Sequence, residues 1–526
     1  MRYKILFFLF LQFLVAQAQD EHGTGLTFDD DAYNNIELKA PLTRGEYATL
    51  SQSATLKNYC PSVGNQGDYG TCVGWSSGYA ARTILWAKAN SITSKSEISA
   101  HAFSSYFVYR HISNDYSCQN GTALPDALFT LKYKGVPLHQ NFISACPSSI
   151  PSRVYEEAKE NTIQNYARVF GLDDNEDYKI RSIKKALAEG NPVVIGMLVG
   201  RSFILCKTAL WTPESSDALY QQGGHAMCVI GYDDNKYGGA VEIMNSWGTN
   251  WGNEGFIWVK YSDFAAATKY AFELIDNIAP KPLVVVPPTP KPTPTPKPVV
   301  VTPTPTPKPQ PKPAPIVTDK IDFAGDIRFE MTNGTAMKAN IEEVRGLFIP
   351  EDEKPKTVNN PNNFKPDPNL TTGKFIAYKM ERAYSEGTQF RVFLRNNEAA
   401  YVYAIAMDGT NKAVTLFPNK KGISPALNYK NNEVALPSET QFIQMDNVRG
   451  TDIFCLLYSK KPLDIESINR KLEQETGTFF QRLYKVMKND LVPRDYLRYY
   501  NQKMRFEIKS NGSGSVVPLV VEIPHN

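Results

Sequence analysis

The chain has 526 residues, too many for one hydrophobic core, and about two to four domains are expected. Apolar residues make up 42% and charged residues 21%, which excludes a wholly disordered protein. The 57 basic and 54 acidic side chains leave a net charge of +3, too weak a field to organise binding to nucleic acid or to an acidic membrane.

Arg2 and Lys4 precede an apolar run from Ile5 to Val15, and Ala16-Gln17-Ala18 supplies a small-x-small cleavage site. Residues 1–18 therefore read as an export signal. No later stretch holds the ~18 apolar residues a membrane span needs, so the mature chain is expected without a transmembrane segment, in the periplasm or outside the cell. Residues 72–90 carry Trp75, Tyr79, Ile84 and Leu85 at helical spacing, and 99–112 and 123–134 also read as helices. Strands are predicted at 193–199, 226–232, 241–247 and 255–259. Helices first and strands later point to an α+β domain over residues 45–275.

Residues 280–316 form a Pro-rich linker. Of positions 280–315, 16 are Pro, five are Lys and none is acidic, a composition that excludes helix and sheet and favours an extended polyproline spacer. At ~3.1 Å per residue it reaches roughly 100 Å. Beyond it, residues 320–526 are strand-rich at 390–394, 401–407, 413–417, 452–458 and 516–523, with a helix at about 465–487. A mainly β, sandwich-like accessory domain is expected there, with its partner unknown.

The most informative segment is Gly64-Asn65-Gln66-Gly67-Asp68-Tyr69-Gly70-Thr71-Cys72-Val73-Gly74-Trp75. It sets a thiol at the opening of a predicted helix, where unpaired amides and the helix dipole favour the thiolate. The amide of Gln66 lies within reach to help the Cys72 N–H hold an oxyanion. Among the six His, His225 opens an apolar strand, and one hairpin loop later comes Asn245-Ser246-Trp247-Gly248. Antiparallel pairing brings Asn245 to His225, where its oxygen fixes the imidazole tautomer.

Seven cysteines without a Cys-x-x-Cys pair argue against a structural zinc site, and neither metal nor cofactor is expected. Cys228 and Cys455 lie in apolar strands and read as buried thiols. Cys60, Cys118, Cys146 and Cys206 allow three pairings, of which Cys118–Cys146 is the one expected, because they bracket one helical stretch.

Together these motifs resemble the papain family of cysteine peptidases, in its shorter bacterial branch. The stretch Gln66-Gly67-Asp68-Tyr69-Gly70-Thr71-Cys72-Val73 matches the family's nucleophile motif, and His225, Asn245-Ser246-Trp247-Gly248 and Gly255-Phe256 follow in the family's order. The resemblance covers roughly 45–275 and implies a two-subdomain fold, with a helical left part and a β-barrel-like right part. It implies Cys72 as nucleophile, His225 as base, Asn245 as its orienting group and Gln66 in the oxyanion hole. Gly121, in a half-matching Asn120-Gly121-Thr122, is implied to bind substrate backbone, and Trp247 to cover the His225–Asn245 contact. Tyr69 stands where the family has a disulfide cysteine, and Val73 where it has Trp. No long inhibitory propeptide is expected, since few residues separate Ala18 from the Cys72 motif. The implied activity is hydrolysis of protein or peptide substrates. The competing reading is a catalytically silent papain-like binding protein or an envelope-binding module. Residues 374–465, with Asp408-Gly409 and Leu416-Phe417-Pro418-Asn419, resemble a functionally uncharacterised domain appended to exported bacterial enzymes.

Overall fold

The computed structural model describes residues 22–144, 149–219, 223–276, 324–343, 376–419, 422–428, 431–493, 496–500, 503–508 and 514–526. The export signal, the Pro-rich linker and Cys146 lie outside the described residues. Among the described residues no helix is long and apolar enough to cross a membrane.

The helical half of the first domain is built around a continuous run over residues 72–89. It starts as the α-helix Cys72–Gly74, widens into a π-helix at Trp75–Arg82 and ends as the α-helix Thr83–Ala89. Every residue of the π segment is buried, which suits its small Ser, Gly and Ala side chains. The helices Ser105–Ile112 and Leu124–Tyr133 pack beside it, as their apolar spacing predicts. The β half is an eight-stranded sheet. Its order is Asn165–Arg168, Thr268–Ile275, Val193–Val199, Gly223–Asp233, Ala240–Met244, Phe256–Lys260 and Leu210–Trp211, with Ser53–Thr55 paired on Gly223–Asp233. The predicted strands are all present, with ends shifted by a few residues. One apolar cluster joins the two halves, so the site between them stands on a rigid floor.

The second domain is a sandwich of two seven-stranded sheets. Val392, Leu394 and Phe506 from one sheet meet Val402, Leu456 and Leu519 from the other in its core. The helix expected over 465–487 is two helices, Ile465–Gln474 and Phe479–Met487. Gly477 takes φ +110°, a conformation that favours glycine, and Thr478 restarts the chain with a capping box to Gln481.

The two domains touch. Residues 36–49 run between them as a seam. The Lys39 amide donates to Arg168 O at 2.8 Å on the first domain, while Ser424 of the second donates to Leu38 O at 2.8 Å. Side chains alternate: Ala40 and Leu42 enter the sandwich core, and Lys39 turns into the first domain. There Lys39 is buried and pairs with Glu189 at 3.1 Å and with fully buried Glu273. The seam explains why a proline linker need not set the domain spacing. Besides that buried ion cluster and two apolar side chains, Thr43 N donates to Glu433 O at 3.1 Å and Asn432 Nδ2 to Glu46 Oε2 at 2.6 Å.

Removing Lys39 takes an ammonium from the fully buried Glu273 and leaves Glu189 with Lys185 at 3.3 Å. Lys39→Ala is expected to cost about 3–5 kcal/mol. Urea unfolding of the full chain checks this, and a loss under ~1 kcal/mol, as for an exposed pair, contradicts it.

Candidate active site

Cys72 opens the long helical run and is fully buried. Its Sγ accepts from the Ala226 amide at 3.4 Å, and the Gly25, Val73 and Cys72 amides also stabilise its charged form. The sequence places this thiol where a helix start lowers its pKa. Burial outweighs that effect and pushes it up to about 11.

His225 and Asn245 meet as the hairpin predicts. The strands Gly223–Asp233 and Ala240–Met244 pair antiparallel, with Cys228 opposite Met244. Asn245 follows that strand, and its Oδ1 lies 2.8 Å from His225 Nε2. The Ser246 amide also donates to this oxygen at 2.8 Å. An acceptor at that position requires the proton on Nε2, which leaves Nδ1 as the free base. Nδ1 is buried and has no hydrogen-bond partner among the described residues. Burial pushes His225 down to about 4, against the Asn245 bond, which raises it. Trp247 stacks on the imidazole at 4.3 Å, 21° from parallel, and is itself almost fully buried.

Gln66 is held between three groups. Its Oε1 accepts from Ser246 Oγ at 2.6 Å, and its Nε2 donates to Tyr69 O at 2.7 Å and to Gly23 O at 2.9 Å. The last contact identifies what covers the site. Residues 22–28 of the chain itself lie across it. Gly23 O also accepts from Trp247 Nε1 at 3.0 Å, and His22 stacks on the other side of Trp247 at 4.9 Å. The Gly25 amide reaches the thiol, and Leu26 N donates to Gly224 O at 3.0 Å. Leu26 forms a parallel bridge with Thr122, through Thr122 N to Gly25 O at 2.8 Å and Thr27 N to Thr122 O at 3.0 Å.

Two expectations change here. The backbone contact expected of Gly121 is made by Thr122; a Cβ on Gly121 would come within 2.9 Å of Gly25 O, so its role is to leave room. Seven residues of the chain, 22–28, suffice to occupy the cleft. The signal for them is Gly23-Thr24-Gly25, a spacing whose reason appears only in three dimensions. A Cβ on Gly25 would lie 2.2 Å from Gly70 O. Cys118 is disulfide-bonded, and Cys146, its expected partner, lies outside the described residues. Cys60, Cys206, Cys228 and Cys455 are free and buried.

Residues 51–271 match the family described as papain family cysteine protease, and residues 383–462 match a domain of unknown function (DUF4384). The chain is 27% identical over 286 residues to an uncharacterized peptidase C1-like protein of Acanthamoeba polyphaga mimivirus, covering 50% of this chain and 88% of that one. It is 23% identical over 226 residues to cathepsin K of Mus musculus, covering 43% and 63%. Among solved structures, xylellain, a cysteine protease from Xylella fastidiosa, is 22% identical and covers 49% of this chain and 97% of its own, with a TM-score of 0.40. The first domain thus matches the papain family of cysteine proteases. The protein is a cysteine-type peptidase.

The covering segment gives two expectations. While it is closed, His225 stays neutral down to about 4, whereas a hydrated imidazole titrates near 6.5. Protons therefore favour the open state in that window. Closure is fully favoured above about 6.5 and weakens as pH falls toward about 4. Hydrogen exchange at the Leu26 and Thr27 amides, corrected for intrinsic rates, should show protection falling by up to roughly tenfold per pH unit there. Constant protection contradicts it. Separately, Gly25→Ala cannot be accommodated against Gly70. Iodoacetamide should alkylate Cys72 in that variant roughly tenfold faster or more, equivalent to ~1.4 kcal/mol of lost closure. An unchanged rate means the segment does not guard the thiol.

Proposed function

We propose that the chain is an exported peptidase of bacterial type that cleaves peptide bonds by acyl transfer, with Cys72 as nucleophile, His225 as base, Asn245 as orienting group and Gln66 in the oxyanion hole. The observation that carries this reading is the 2.8 Å contact between His225 Nε2 and Asn245 Oδ1. It leaves Nδ1 as the only ring position able to take a proton. The domain match supports the reaction class. Export rests on the sequence pattern of residues 1–18.

In this reading residues 22–28 first leave the cleft, and water returns to the thiol and imidazole. Hydration removes the penalty that keeps both groups neutral, and the Cys72 proton passes to His225 Nδ1. The thiolate attacks the substrate carbonyl carbon. The oxygen takes the negative charge and is held by the Cys72 amide and the Gln66 Nε2 that Gly23 O occupies in the closed state. His225 returns its proton to the leaving amine, and the acyl group stays on Cys72 as a thioester. The same imidazole then takes a proton from water as it attacks the thioester, releasing a carboxylic acid and the thiol. Asn245 keeps Nδ1 facing the reaction throughout. Trp247 excludes water from that contact.

Assays in a Gly25→Ala background separate catalysis from opening. Cys72→Ala and His225→Ala should abolish peptide hydrolysis. Asn245→Ala should leave measurable turnover, and Gln66→Ala should lower kcat by about 10²–10³. Folded Cys72→Ala protein with more than a few per cent of the parent rate removes Cys72 from the nucleophile role.

A further inference from the structure

Among the described residues, the outer face of one sandwich sheet is only partly covered. The helices Ile465–Gln474 and Phe479–Met487 bury Tyr403, Ile405, Cys455 and Leu457 beneath Leu472 and Leu483. The sheet continues beyond them through Val516–His525, Ile376–Met380 and Ala339–Glu343. There a groove of about 920 Å³ remains, the size of a small-ligand site. Ala377, Ile453 and Phe479 give it an apolar floor and side.

Its two ends differ in charge. At one end the nine-residue helix Phe479–Met487 presents its N-terminus, the positive pole of its dipole. Arg482 stands in the same wall and is only 4% exposed. Its Nη2 donates to Asn411 Oδ1 at 2.9 Å and touches Met407 Sδ at 3.1 Å, and its Nη1 reaches Leu472 O at 3.4 Å. Nε has no partner, and among the described residues no carboxylate pairs with the guanidinium. Asp408, nearby in the lining, spends one oxygen on Thr410. At the other end stand Glu342 and Glu522, with Lys379 3.5 Å from Glu342. Burial holds the Glu522 carboxyl above its ordinary range. A buried cation without a counter-ion is costly, and a bound anion removes that cost.

We propose that this groove binds a short peptide by its free C-terminal carboxylate. The carboxylate sits between the start of the helix Phe479–Met487 and Arg482. The last side chain lies on the apolar floor, and a cationic group, the free amine or a Lys side chain, reaches Glu342 and Glu522. Peptide-bond hydrolysis creates such a terminus, so the ligand class includes the products of a peptidase. The binding itself does not depend on Cys72 chemistry.

Calorimetric titration of the full chain with the dipeptide Lys-Phe tests the proposal, with its C-terminal amide as the control. Lys-Phe should bind saturably, and the amide about tenfold more weakly or worse, because it lacks the charge-assisted bonds. Arg482→Met should abolish binding without lowering the Tm. If that variant does not fold, Glu342→Gln with Glu522→Gln, at the opposite end, should still weaken binding of Lys-Phe several-fold. Equal affinity for acid and amide overturns the proposal. So does the absence of saturable binding.

Discussion

Water is kept from one thiol and one imidazole, and most of the first domain can be read as the means of doing so. Cys72 and His225 are both fully buried, and both are held in their neutral forms for that reason. A sulfur–imidazole ion pair needs either solvent or dense hydrogen bonding. Here the amides around the sulfur supply some of the second and none of the first. The closed state is therefore chemically quiet although the groups are in place.

That closure is built almost entirely from backbone. Residues 22–28 bond through Gly23, Gly25, Leu26 and Thr27 to Gln66, Trp247, Thr122 and Gly224. Backbone contacts of this kind depend little on side-chain identity. The segment is tethered from behind. The helix Asp30–Asn35 sinks Tyr33 into the first domain, stacked on Tyr270 at 4.2 Å and donating to Phe170 O at 2.7 Å. Past that helix the chain enters the seam between the domains. One stretch of about thirty residues thus covers the site, anchors to its own domain and stitches on the second.

The sequence was legible where chemistry and periodicity coincide. The Cys72 motif, the hairpin bringing Asn245 to His225 and the apolar strands all carry local signals. Gln66 was found because its spacing to Cys72 is short. What stayed hidden depends on approach between distant segments. Nothing local shows that Gly25 must pass within van der Waals contact of Gly70, or that Ala40 and Leu42 belong to a core some three hundred residues away. The thiol's pKa failed for the same reason. A helix start predicts a downward shift, but burial under residues 22–28 decides the sign. The strands Ala324–Met331 and Met504–Ile508 were also missed, being short alternating runs interrupted by charge.

The seam changes how the second domain should be viewed. A module on a polyproline tether searches space independently, and its ligand has no geometric relation to the catalytic cleft. Here Lys39, Ala40 and Leu42 alternate between two cores, so the residues that follow the cover are part of both domains. Moving the second domain away must either expose Leu42, if the seam stays with the first domain, or strip Lys39 of its carboxylates, if the seam moves with the second. Arg168 joins the two effects, because its side chain bonds Ile36 O at 2.7 Å and its backbone pairs with residues 37 and 39. Tension on the seam would therefore first reach the end of the helix carrying Tyr33, and only through that helix the residues lying over Cys72. The stacking of Tyr33 on Tyr270 anchors that helix to the first domain, between the seam and the residues lying over Cys72.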